Sequence, residues 1–278
     1  MISIKFSDNI IYIYYSFEEI LKLENYNDIT YLNCRYNGLF NLPELPNSLV
    51  ELYCFNNKIS NLPKLPISLQ KLYCANNNLS ILPELPNSLR ELHCYHNKLS
   101  NLPELSNSLQ HLSCEYNNLS VLPGLPNSLI NLYCSSNNLS SLPGLPNSLI
   151  NLYCNNNNLS NLPGLPDSLK SIACSNNNLS NLPELPNSLI ELYCQYNIIS
   201  NLPELPNSLS SCYYECNPIY EYIKQYFDGE TKNYIEHNKN MRRIFANKIS
   251  NWFLECKYNP KYLYCRQKLM KEYDELYN

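Results

Sequence analysis

Nine cysteines, Cys34, Cys54, Cys74, Cys94, Cys114, Cys134, Cys154, Cys174 and Cys194, stand twenty residues apart, and each is followed three positions later by Asn. Evenly spaced thiols can hold a metal ion or pair as disulfides. Here they alternate with leucines on the inward face of an extended segment, and no His shares that face. Free Cys is a small, commonly buried hydrophobe, so the column reads as core filler. A second cluster invites chemistry more directly. Glu91, His93, Tyr95 and His96 lie one period from His111, Ser113 and Glu115, which gathers three of the four histidines with two carboxylates. Neutral imidazoles beside a carboxylate can bind zinc or sense pH. Strand register places His111 across from Glu91 and diagonal to His93. Without further supporting residues the group reads as an exposed polar patch, and no metal or other cofactor is assigned. No nucleophile with a paired His and no phosphate loop occurs elsewhere, so no catalytic residue is assigned and the chain reads as a non-enzyme.

The elements that place these residues follow from a repeat. From Asn41 to Ser200 the unit N-L-P-E-L-P-N-S-L-x-x-L-Y-C-x-x-N-x-L-S runs eight times without insertion, flanked by half-copies at 29–40 and 201–219. A fixed period of twenty means a solenoid whose units touch only their neighbours. In "ELYCF", Leu52 and Cys54 point one way and Glu51, Tyr53 and Phe55 the other, as a strand requires. One strand per coil, stacked in parallel, makes a continuous curved sheet. Asn37, Asn57, Asn77, Asn97, Asn117, Asn137, Asn157, Asn177, Asn197 and Asn217 occupy every copy, including both degenerate ends. Inward asparagines at the turn leaving each strand predict a ladder of side-chain amides that satisfies backbone groups. The return segment "LPELPNSL" has two prolines three apart, which favours an extended, polyproline-like path with Leu42, Leu45 and Leu49 turned inward. One copy carries Ser106 in place of the second proline, a slight softening of its turn.

The pattern SLxxLxCxxNxL resembles the leucine-rich repeat, with Cys where Leu is commoner. It is similar to the short twenty-residue class found in secreted effectors of enteric bacteria, and the Asn/Tyr/Ile-rich style and tail resemble repeat proteins of giant DNA viruses of amoebae, the mimivirus type. The resemblance implies a leucine-rich-repeat solenoid with a curved parallel β-sheet on its concave face, an extended convex side and a small α-helical C-terminal segment. It also implies a non-catalytic scaffold that binds a protein partner on the concave strands. Bacterial relatives sometimes carry a ubiquitin-ligase domain with a catalytic Cys-x-Asp. Here Cys256 precedes Lys-Tyr and Cys265 precedes Arg-Gln, and about sixty residues are too few for that domain, so ligase activity is not carried over. Two alternatives stand beside the scaffold: a substrate adaptor in ubiquitin transfer whose tail recruits machinery, and a structural or packaged repeat protein.

The middle outward column reads Asn33, Tyr53, Tyr73, His93, Ser113, Tyr133, Tyr153, Ala173, Tyr193, Tyr213. Neighbouring tyrosines one strand apart predict ring pairs worth about 0.5–1.5 kcal/mol each. Tyr also suits interfaces because it offers large area at low entropy cost. The candidate protein-binding residues are therefore Tyr53, Tyr73, His93, Tyr95, His111, Tyr133, Tyr153 and Tyr193. The outward residues of copies 141–180 are nearly neutral and predict no chemistry.

The net charge of −4 divides unevenly: residues 1–212 carry 9 Lys/Arg against 15 Asp/Glu, and residues 213–278 carry 11 against 9. No basic patch results, so nucleic acid is not an expected partner. No run approaches the roughly 18 apolar residues of a membrane helix, and no signal peptide is legible, so neither membrane nor secretion is expected. Thirteen cysteines then point to a reducing, cytoplasmic compartment, a host cell's cytosol included. Residues 1–28 read as an N-terminal cap, 29–219 as about ten repeats, and 220–278 as a helical cap or docking segment. In that segment Asn217 is the expected N-cap and Pro218 the first helical residue. Ile219, Ile223 and Tyr226 would share a face, with Gly229 ending the helix. Two further helices are expected, around Met241–Cys256 and from Pro260 onward. Partner identity and oligomeric state are not written in the sequence.

Overall fold

In the computed structural model the chain is described over residues 1–226 and at Ile235. It divides into two compact units, Met1–Glu221 and Tyr222–Asn278. The expected helices beyond Tyr226 lie outside the described residues, apart from Ile235.

The first unit is built on one twelve-stranded sheet. Strand β1 (Ile2–Lys5) pairs antiparallel with β2 (Ile11–Tyr14) on one side and with β3 (Tyr31–Asn33) on the other; α1 (Phe17–Ile20) and a 3-10 turn (Tyr26–Asp28) connect them. From β3 onward every pairing is parallel and shifted by twenty residues. The strands are β4 (Glu51–Tyr53), β5 (Lys71–Tyr73), β6 (Glu91–His93), β7 (His111–Ser113), β8 (Asn131–Tyr133), β9 (Asn151–Tyr153), β10 (Ser171–Ala173), β11 (Glu191–Tyr193) and β12 (Ser211–Tyr213). Register is strict, with Leu52 beside Leu72 and Leu72 beside Leu92. A one-residue slip would turn every core leucine to the surface. The expected parallel solenoid is what the chain forms.

Inside the coils the thiols of Cys34 to Cys194 are fully shielded, between the equally buried Leu49-type, Leu52-type and Ile59-type columns. All described cysteines are free thiols. The return arm is extended, and its first leucine column is buried except at the half-buried Leu62, whereas the second is half-buried from Leu85 onward. In most copies the second proline, Pro126 for example, is buried in its place.

The asparagine column is a ladder that spans coils. Asn157 Nδ2 donates to the carbonyls of Cys134 (3.1 Å) and Cys154 (3.1 Å), while its Oδ1 accepts the Leu139 N–H at 3.0 Å. The same triad recurs at Asn77, Asn97, Asn117, Asn137, Asn177 and Asn197. At the first rung, Asn37, Met1 at the start of strand β1 takes the place that a preceding coil takes elsewhere. There the Met1 nitrogen donates to Oδ1 (2.7 Å) and the Met1 carbonyl accepts from Nδ2 (3.1 Å). At the last rung, Asn217 bonds Cys194, Tyr214 and Ile199. Its side chain therefore closes the ladder, while Asn217 directly precedes the helix α2 (Pro218–Tyr226) at the expected N-cap position and its carbonyl accepts the Tyr220 N–H at 3.0 Å. In that helix Ile219 and Ile223 are buried and Tyr226 is exposed, so the expected three-residue face is two residues wide.

Two further regularities have no counterpart in the sequence reading. A serine ladder runs up the return side: the hydroxyls of Ser68, Ser88, Ser128, Ser148, Ser168, Ser188 and Ser208 donate to a leucine carbonyl of the preceding coil at 2.6–2.7 Å. Ser106 extends this theme. It is buried, donates to the Asn87 carbonyl (2.9 Å) and accepts the Ser108 N–H (3.1 Å), so losing a proline tightens that turn with hydrogen bonds where softening was expected. The second regularity is a left-handed residue in each turn. Tyr36, Asn56, Asn76, His96, Tyr116, Ser136, Asn156, Asn176, Tyr196 and Cys216 all have φ between 51° and 58°. From Tyr36 to Tyr196 their N–H groups stay in the intercoil ladder; His96 donates to the Glu115 carbonyl at 2.9 Å. A side chain at positive φ is strained, least for Asn and most for β-branched residues. Ser136→Ile should therefore destabilise by about 1–2 kcal/mol although Ser136 is not buried, and Ser136→Gly should be neutral or stabilising, both read from urea unfolding.

Candidate interaction surface on the concave face

Because strands keep register, outward side chains stack into three columns, and most of these groups are tied to one another. In the first column Lys71 bridges Glu51 (3.5 Å) and Glu91 (3.7 Å). Exposed pairs of this kind contribute little to stability, about 0–1 kcal/mol, so their effect is to hold side chains in place. Higher in the same column, Asn151 Nδ2 donates to Asn131 Oδ1 (2.6 Å), and Asn131 Nδ2 meets His111 Nδ1 (2.6 Å), which serves as acceptor there. The Ser171 hydroxyl donates to Glu191 Oε2 at 2.8 Å.

The middle column contains the rings. Tyr53, Tyr73 and His93 form a continuous run, joined at its N-terminal end by Tyr31 of the first column; counted from Tyr31 the centroid separations are 5.3, 4.6 and 4.3 Å, and the last two pairs are near parallel. The Tyr53 hydroxyl donates to Glu51 Oε2 (3.0 Å) and the Tyr73 hydroxyl to Glu91 Oε2 (2.5 Å), which fixes both rings on the first column. Burial and these carboxylates push both phenols well above their ordinary range. Lys5 closes the N-terminal end with its ammonium 4.8 Å from the Tyr31 ring. Tyr133 and Tyr153 meet edge to face at 5.1 Å, and Tyr193 stacks on Tyr213 at 5.2 Å. Between these groups lie the small, buried Ser113 and Ala173.

The histidine cluster is distributed among separate partners. Glu91 does lie across from His111, as register requires. His93 ends the ring stack, and burial pulls its pKa below the ordinary value against the opposing influence of Glu91. His96 stacks on Tyr116 at 4.1 Å and meets Tyr95 edge-on at 5.9 Å. Glu115 accepts from the Ser113 hydroxyl at 2.6 Å, and burial raises its pKa. Among the described residues no three of His, Cys, Asp and Glu converge as metal ligands.

In the third column Asn155 takes part in a chain through Ser135, Ser175 and Gln195. Copies 141–180, nearly neutral in sequence, thus have outward side chains tied by hydrogen bonds to those of the neighbouring coils. The partners missed from sequence, Glu51, Lys71, Asn131 and Asn151, were detectable by reading each outward column downward, where Glu-Lys-Glu and His-Asn-Asn recur at a spacing of twenty.

No protein-family model and no curated protein sequence matches the chain. Solved structures do. YopM from Yersinia enterocolitica WA-314 aligns with a TM-score of 0.67 at 38% identity, covering 67% of this chain and 42% of that one. YopM from Yersinia pestis, described as a leucine-rich effector protein, gives 0.64 at 41%, covering 68% and 55%. A Shigella effector leucine-rich-repeat domain gives 0.52 at 37%, with 58% of this chain aligned to 73% of that domain. The chain belongs to the leucine-rich-repeat family. Its twenty-residue repeats are of the bacterial-effector type, as the SLxxLxCxxNxL pattern implied. This leucine-rich-repeat chain spans less than two thirds of either YopM chain. Among its described residues no helix is long and apolar enough to cross a membrane.

Proposed function

We propose that this leucine-rich-repeat chain is a non-catalytic scaffold that binds a protein partner on its concave strand face. The observation that carries this reading is the ring run Tyr31–Tyr53–Tyr73–His93, half-exposed and held in place by Glu51, Lys71 and Glu91. Aromatic side chains already fixed before binding lose little conformational entropy on contact, and they dominate interface energetics for that reason. Tyr133, Tyr153 and Tyr193 extend the surface toward the C-terminal coils, with Tyr95 and His111 at its margins. The effector-type relatives support an interaction role at the level of architecture. The partner is a folded or extended protein segment rich in apolar and hydrogen-bonding groups; the face offers no basic track for nucleic acid.

Photo-crosslinking in the native cell tests this. A photoreactive phenylalanine at Tyr73 or Tyr153 should capture a defined protein, and the same group at the exposed return-side Val121 should not. Tyr53→Ser with Tyr73→Ser should weaken that capture at least tenfold in a chain that circular dichroism shows still folded at the assay temperature, after the loss of ring pairs worth about 0.5–1.5 kcal/mol each. Equal capture from both faces would remove the concave surface as the binding site.

A further inference from the structure

The N-terminal end of the sheet carries an edge that the binding reading does not use. β2 pairs with β1 through one of its sides; among the described residues nothing pairs with the other. A free edge presents alternate backbone N–H and C=O groups to any strand that approaches. Natural sheets blunt such edges with lysine, proline, bulges or an inward charge. β2 has none of these: from Asn9 to Ser16 the chain reads NIIYIYYS, without a charged residue or a proline. Its side chains are exposed as well, Ile11 at 58%, Ile13 at 60% and the adjoining Ile10 and Tyr15 at 55% and 79%. Eight of the nineteen large hydrophobic residues exposed among the described residues lie within the first 36.

We propose that β2 is a self-association edge, and that its occupant is β2 of a second copy of this chain, paired antiparallel about a two-fold axis normal to the sheet. Antiparallel neighbours directly opposite one another share a face. With Tyr12 on the axis, Ile11 falls beside Ile13 of the second copy on the concave face, and Tyr12 beside its own counterpart on the other. The segment is thus complementary to itself, as an isologous interface demands. Its neutrality removes like-charge repulsion across the axis. Met1, Ile10, Ile11, Tyr12, Ile13 and Tyr15 together expose on the order of 700 Å² at about 200 Å² per large side chain, close to the ~800 Å² each partner gives a standard interface. The two sheets would run on as one.

Sedimentation of the full chain from about 1 to 100 μM should show the mass rising from the 32.4 kDa chain toward twice that value. Ile11→Lys with Ile13→Lys puts four ammonium groups at the axis and should raise the dissociation constant at least a hundredfold. Both side chains are exposed, so the melting temperature should move by no more than a few degrees. Amide exchange at Ile11–Tyr14 should slow as concentration rises. A monomer at every concentration overturns the proposal, as does a dimer that the double substitution leaves intact. Exchange at β2 that is slow at both 1 and 100 μM also overturns it, because the edge would then be covered within one chain.

Discussion

Asn157→Ala is expected to lower the unfolding free energy by about 3 kcal/mol or more, a large share of the 5–15 kcal/mol typical of a domain. The loss comes from the groups that the side chain serves in two coils at once. Leu139 N–H loses its acceptor, and the carbonyls of Cys134 and Cys154 lose their shared donor, at a buried site. Asn157→Asp separates this cause from loss of packing volume. The carboxylate keeps the acceptor but places negative charge against the carbonyls of Cys134, Cys154 and Asn155. It should be at least as damaging as Ala at neutral pH and recover relative to wild type as the pH falls and the carboxyl is protonated. Ala cannot recover in this way. Asn37→Ala, at the end rung, should cost about 1 kcal/mol because its amide faces only Met1 and Arg35 and is exposed. Urea unfolding of the three variants at two pH values decides the matter.

The second large effect is alkaline. Burial pushes the thiols of Cys34 and Cys154 up to about 12 and the rest of the column well above the ordinary 9.0. Between those limits the unfolded chain releases protons that the folded chain retains. The unfolded state therefore binds fewer protons, and stability falls as pH rises. Below pH 9 both states are protonated and nothing is lost. Each buried thiol costs about 1.4 kcal/mol per pH unit above 9, so nine acting together remove on the order of 10 kcal/mol by pH 10. Under reducing conditions the fold should collapse cooperatively between pH 9 and 10.5. Circular dichroism against pH, at several urea concentrations, gives the number of protons released. Cys114→Ala with Cys134→Ala should lower that number by two. A fold that survives pH 11 unchanged would mean that the thiol column is wet.

Both effects trace to the columns most visible in the sequence. A twenty-residue clock with invariant Leu, Cys and Asn leaves one way to bury the first two and satisfy the third, so coil, register and ladder could be read directly. The serine ladder was hidden because "NSL" reads equally well as ordinary turn composition. The left-handed turn was hidden because its occupants, Tyr36, His96, Ser136 and Cys216 among them, include no glycine to mark positive φ. The concave face was half legible. Ring stacking follows from strand spacing, and the runs at Tyr53–Tyr73 and Tyr193–Tyr213 formed as spacing requires. The histidine cluster did not converge on one point, because its members found separate partners: a ring of their own column for His93 and His96, Asn131 of its own column for His111, and the neighbouring Ser113 of the same coil for Glu115. Proximity in sequence register is a weaker guide than the column directly above and below.

Side-chain amide exchange of the ladder asparagines, followed by NMR on protein labelled with ¹⁵N at Asn, is the most direct test of the coil itself. Slow Nδ2 protons at Asn77 through Asn197, protected together and lost together on unfolding, are the predicted result. Nδ2 protons exchanging there as fast as those of exposed Asn61 would contradict it.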